Sequence, residues 1–93
     1  MIENGDIGFI KSGKYRIKIM ELLKNIALAT PIEMAERMSA YLSQVSRTIS
    51  ELEEKGLISC TTPNRKKGRI YRLTEKGRKI LDFMEENDLE IKR

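Results

Sequence analysis

The stretch LSQVSRTISELEEK, residues 42–55, closed by Gly56-Leu57-Ile58, decides how this chain folds. Leu42, Val45, Ile49 and Leu52 recur at intervals of three and four, which predicts a helix with one apolar face. At about 100° per residue, Arg47 points directly away from that stripe, flanked by Ser43, Gln44, Ser50 and Glu51. Solvated helix faces are usually dressed with Lys and Glu. Here the first two turns carry short hydroxyls, one amide and one guanidinium, and the acids Glu51, Glu53 and Glu54 come only later. Gln pairs well with adenine, Arg with guanine and Ser with either, so the face suits base edges and phosphates, although an ordinary wet face has the same outline.

Working outward, Gly56 supplies the left-handed residue that ends the helix, with Leu57 folding back on the last turn. Upstream, Thr30-Pro31-Ile32-Glu33 is a helix start: Thr30 caps, Pro31 suits the first helical position and Glu33 completes a capping box. The helix it opens, residues 31–38, has Ile32, Met34, Ala35 and Met38 as its apolar set, the methionines acting as core fillers. Only Ser39-Ala40-Tyr41 separates the two helices, the layout of a helix-turn-helix. The usual turn glycine is absent, so either Ser39 takes its place or the turn uses different angles. Tyr41 either meets a phosphate or base, or packs over the turn.

Downstream, residues 57–62 read as a strand, residues 63–68 as a polar turn and residues 69–73 as the returning strand, on the strength of the turn and of Ile70 and Tyr71. The tip of this hairpin is the most basic part of the chain. Between positions 63 and 79 stand eight basic residues and the single acid Glu75, while the remainder is net acidic by three against a total of +4. Positive charge gathered in this way suits a polyanionic partner. Thr74 caps a last helix whose Ile80, Leu81, Phe83 and Met84 spread over more than one face. That width exceeds what one small core needs, so part of it is expected to serve a dimer interface, with Leu89 and Ile91 as continuations of the same seam.

At the other end, residues 1–11, with Gly5 and Gly8, are weakly patterned and read as a frayed arm or an edge segment. Ser12 is the expected cap of a first helix at 13–25, with Tyr15, Ile19, Leu22 and Ile26 as its stripe, widened by Met20 and Leu23. Residues 26–29 fit a brief strand.

Ninety-three residues, 40% hydrophobic and 34% charged, fit one globular domain with one core. No apolar run nears the ~18 residues of a membrane span, and MIENGDIGF is too acidic for a signal peptide, so a soluble cytoplasmic protein without membrane contact is expected. Cys60 is the only cysteine, which rules out an internal disulfide; it reads as a small half-buried strand residue unless its surroundings stabilise a thiolate. With no histidine and one cysteine, neither a zinc site nor His-based catalysis is expected. Carboxylate sites for magnesium stay open, but the acids lie on helix faces with no loop signature. No nucleophile is paired with a base, so an enzyme is not expected, nor a cofactor.

The order is helix, short helix, three-residue turn, longer helix, basic hairpin, helix. In this the chain resembles the winged helix-turn-helix regulators, close to the MarR-like and ArsR-like groups and their small archaeal relatives. The residues that carry the resemblance are Pro31-Ile32-Glu33-Met34-Ala35-Glu36, Leu42-Ser43-Gln44-Val45-Ser46-Arg47, Leu52-Glu53-Glu54-Lys55-Gly56-Leu57-Ile58 and the run from Arg69 to Gly77. The resemblance implies an α+β, mostly helical fold: one winged-helix DNA-binding domain over 1–93, with the helix-turn-helix at about 31–55, a two-stranded β-hairpin wing at about 57–73 and a C-terminal helix at about 75–90. It further implies a recognition helix in the major groove and a wing on the flanking backbone or minor groove. Carried over by position, Ser43, Gln44, Ser46, Arg47 and Ser50 would lie at bases and phosphates, and Arg65, Lys66, Lys67 and Arg69 would belong to the wing. Ser46-Arg47 recurs in such folds and can also hold a phosphate or support the fold. The expectation is a sequence-specific regulator binding double-stranded DNA, as a homodimer through helix 1 and the C-terminal helix. A winged-helix protein-interaction module in a transcription or replication assembly, using the wide last helix, is the competing reading. RNA binding is disfavoured by the scarcity of aromatics for stacking.

Overall fold

The computed structural model describes residues 4–87. Five helices and one antiparallel pair of strands follow in the order α1 (Asn4–Ser12), α2 (Arg16–Ile26), α3 (Pro31–Met38), α4 (Leu42–Glu54), β1 (Ile58–Cys60), β2 (Tyr71–Leu73) and α5 (Glu75–Glu86). α2 lies at the centre and packs on every other helix and on β2. Ile17, Ile19, Met20 and Leu23 are its buried residues. Met20 and Leu23, which widened the predicted stripe, are buried, but the stripe itself is displaced. Tyr15, Leu22 and Ile26 are only half-buried, while Ile17 is in the core.

The N-terminal expectation is corrected. Residues 4–12 form a helix rather than an arm, and Ser12 ends it instead of capping the next one, which begins at Arg16 behind an N-cap, Tyr15, whose side chain makes no capping bond. Two glycines, each costing about 1 kcal/mol against alanine in a helix, hid the pattern. Burial of Ile10 offsets them, since enclosing such a side chain stabilises by about 1.5–3 kcal/mol. Arg16 adds a second tie, its guanidinium 3.9 Å from the Phe9 ring centre and bonded to the Phe9 carbonyl.

The capping box is formed as read. Thr30 Oγ1 accepts from the Glu33 amide at 3.2 Å, and Glu33 Oε1 accepts from the Thr30 amide at 2.8 Å. Thr30→Ala should cost about 1 kcal/mol. In a domain of this size that lowers the midpoint of thermal unfolding by roughly 4–8 °C, which a melt would record. Ser39 takes the place of the turn glycine at φ 53° and ψ 45°, and its amide closes α3. α4 ends as predicted: Gly56, at φ 74°, donates to the Glu53 carbonyl at 3.0 Å, and Leu57 reaches back to Leu52 at 2.9 Å.

The strands are shorter than the sequence suggested, three residues each. Ile58 pairs with Leu73, Ser59 with Arg72 and Cys60 with Tyr71. The brief strand expected at 26–29 reduces to a single bridge, Ala29 to Tyr71.

Thr74 caps α5 by accepting from the Gly77 amide, and donates its hydroxyl to the Gly56 carbonyl at 2.6 Å. The start of α5 is thereby tied to the end of α4. Ile80, Leu81 and Met84 are buried within the chain, leaving Phe83 as the partly open one among the described residues of the expected interface set. The predicted first helix, which is α2, and the C-terminal helix α5, both expected to meet a second copy, pack against each other. Lys24 on α2 bridges Asp82, at 2.7 Å, and Glu85 on α5, and these bonds raise its pKa. Leu89 and Ile91 lie outside the described residues. Among the described residues, no helix is long and apolar enough to cross a membrane, and no group of three or more His, Cys, Asp or Glu side chains is placed to hold a metal.

Candidate nucleic-acid interface

Three buried residues of α4, Val45, Ile49 and Leu52, set its rotation. Ser43, Gln44, Ser46, Arg47 and Ser50 are consequently all exposed. Two members of the predicted apolar sets fall elsewhere. Leu42 is 46% exposed and Ile32 58% exposed, so neither belongs to the core. Each stands at the first turn of its helix, where the side chain leans past the helix end rather than onto the packed face. Tyr41 is 77% exposed, so it does not pack over the turn.

The exposed face of α4 has two flanks. Gln44 and Arg47 border a polar cleft of about 280 Å³ together with Arg16 at the start of α2 and with Lys14 and Tyr15 just before it. Ser46 instead faces a groove of about 440 Å³ shared with Leu42, Ile32 and the hairpin. Gln44 and Arg47 therefore open into one hollow and Ser46 into another, while Ser43 and Ser50 border neither.

Glu51 is where sequence reasoning missed a residue that matters. It lies one turn beyond Arg47, the spacing at which an acid and a guanidinium pair along a helix. Its Oε1 is instead held by Arg16, from Nε at 3.2 Å and Nη2 at 3.1 Å. Arg47 pairs with no acid among the described residues. Arg16 thus keeps a neighbouring carboxylate off the guanidinium best placed to meet a ligand. The pairing spans 35 positions, so no local signal could have pointed to it.

In the hairpin, Arg65, Lys66 and Lys67 are exposed at the tip. Arg69 differs. It is half-buried, and its Nε lies 3.4 Å from Cys60 Sγ. Burial pushes the Cys60 thiol up, but the Arg69 and Thr62 hydrogen bonds outweigh it, and the thiol sits below its ordinary value. Of the four predicted wing cations, Arg69 is the one committed to the hairpin's own base. The tip itself is held by its backbone ends: the Thr61 amide donates to Ile70 at 2.7 Å, the Ile70 amide donates to Thr62 Oγ1 at 3.1 Å, and Gly68 turns at φ 64°.

A short helix, a three-residue turn and a longer helix with a polar outer face, followed by a basic antiparallel hairpin, form a recognisable unit. The sequence profile of that unit, winged helix-turn-helix, matches residues 11–92. The chain belongs to the winged helix-turn-helix family. Its α+β, mostly helical fold with a two-stranded wing is the one expected from the sequence.

Among the solved structures that this winged helix resembles are MarR family transcription regulators. One, from Silicibacter pomeroyi, is 28% identical with a TM-score of 0.68, over 78% of this chain and 50% of that one. Another, a mutant of MarR from E. coli complexed with operator DNA, is 27% identical with a TM-score of 0.68, over 75% of this chain and 51% of that one. The winged helix spans about half the length of the regulators it matches. No curated protein sequence matches it.

Proposed function

We propose that this winged helix is a sequence-specific, double-stranded DNA-binding transcriptional regulator, with α4 as the recognition helix in the major groove and the wing on the flanking backbone or minor groove. The observation that carries the reading is the joint exposure of Ser43, Gln44, Ser46, Arg47 and Ser50 beside a wing tip of Arg65, Lys66 and Lys67. Short polar side chains and a guanidinium reach base edges and phosphates, and exposed cations gain affinity by releasing counterions. The operator complex of the MarR neighbour supports the same reading. One chain offers one recognition helix and one wing, so two copies would read two half-sites about one helical turn apart, roughly 34–36 Å.

Roles divide between the two elements. Arg47 and Gln44 specify, whereas Lys66 and Lys67 attract without regard to sequence. Salt titration of duplex binding tests the division. Each phosphate contact contributes about 0.9 to the slope of log affinity against log salt. The Lys66→Ala/Lys67→Ala variant should therefore lose roughly two units of slope and weaken on all duplexes alike. Binding that does not respond to salt, or a wing variant that changes which duplex is preferred, would contradict the assignment.

A further inference from the structure

Leu42 and Ile32 are large aliphatic side chains standing in water at the edge of the helix-turn-helix, 46% and 58% exposed. They belong to different helices, α3 and α4, yet border one groove with Ser46 of the recognition face. The opposite wall of that groove is the wing, which brings Lys66, Lys67 and Arg69, and no acid is among the residues that line it. The groove therefore combines an apolar floor with a cationic wall. Its occupant must present an apolar group beside negative charge.

Building on the DNA-binding reading above, we propose that this groove reads thymine. In the major groove the thymine 5-methyl is the one apolar group among the base edges, and the phosphates of the same strand run a few ångströms away. Leu42 and Ile32 meet the methyl, Ser46 one turn further along α4 meets the adjacent base or phosphate, and Lys66 and Lys67 meet the backbone. The assignment accounts for two side chains that neither the core nor the polar recognition face uses. It also gives the half-site a composition: thymine on the wing side of α4, distinct from the bases that Gln44 and Arg47 meet on the other flank.

The test replaces each thymine of a duplex selected by the protein with deoxyuridine, which removes the methyl and leaves every hydrogen-bonding group in place. Wild type and an Ile32→Ala/Leu42→Ala variant are compared by equilibrium binding, with a thermal melt to verify that the variant is folded. Burying one methyl corresponds to about 0.8 kcal/mol, so wild type should weaken about fourfold at one or more thymines per half-site. The variant should bind both duplexes equally. Specific binding by wild type that ignores every uridine would overturn the inference and leave the DNA-binding reading intact. Equal weakening of wild type and variant would also overturn it, because the methyl would then be read elsewhere. Absence of any sequence-specific duplex binding would remove the reading on which the inference rests.

Discussion

Replacing Arg47 with Ala is expected to weaken binding to the preferred duplex by roughly 5- to 160-fold, the equivalent of about 1–3 kcal/mol for a bidentate base contact. Binding to unrelated duplex should fall far less, since that affinity resides mainly in phosphate contacts spread over several cations. Because Arg47 is exposed and pairs with no acid among the described residues, its loss removes no internal interaction, and thermal stability should stay within about 0.5 kcal/mol of wild type. Arg47→Lys separates the two roles this residue could take. A lysine keeps the charge but lacks the planar fork. If Arg47 reads a base, Arg47→Lys should lose discrimination almost as fully as Arg47→Ala while retaining the salt slope. A lysine that restores full preference would assign Arg47 to a phosphate instead.

The second large effect concerns α5. Gly77→Ala would ordinarily be called favourable, since alanine is preferred to glycine in a helix interior by about 1 kcal/mol. Here the sign should reverse. A Cβ at Gly77 would overlap the Leu57 carbonyl oxygen and stand 3.0 Å from Leu73 Cδ1. That carbonyl is fixed by the Thr74 amide at 3.1 Å and belongs to the residue that closes α4, so it has no freedom to withdraw. Forcing a methyl into such a contact costs about 1–3 kcal/mol or more, which exceeds the gain in propensity. We expect net destabilisation of about 2 kcal/mol and a fall in the thermal midpoint of roughly 10 °C. Gly8→Ala is the control. Nothing lies within 4 Å of a Cβ there, and the same substitution should stabilise or be neutral. Equal melts for the two variants would show that α5 does not seat on Leu57 in the way described.

The same contrast explains how much of the molecule could be read from its sequence. The parts that were legible are those where one residue answers a local backbone need. Thr30 and Glu33 satisfy free amides at the start of α3, Gly56 takes the left-handed position after α4, and Thr74 caps α5. Those three punctuation points fix the helix-turn-helix and the wing, and hence the exposed face of α4. Residues 4–12 were not legible because Gly5 and Gly8 weaken the helical signal, and what holds the segment is tertiary, the burial of Ile10 and the stacking of Arg16 on Phe9.

The candidate site was legible in its polar half only. Periodicity placed Ser43, Gln44, Ser46, Arg47 and Ser50 outward, and the structure exposes all of them. It also assigned Leu42 and Ile32 to the core, because a hydrophobic pattern records residue type and not where a helix begins. Both open their helices and so project past the packed face. No local pattern marks Arg16, and only its partner Glu51, 35 positions away, reveals what it holds. The apolar width of α5 suggested a surface for another chain, but Ile80, Leu81 and Met84 are used by the chain's own core, much of it against α2.

The most direct test of the central claim is selection from a random-sequence duplex pool by the wild-type protein at low and moderate salt. Enrichment of one motif is expected at both salts, arranged as two inverted half-sites about a helical turn apart. No enrichment, with no duplex retained even at low salt, would contradict it.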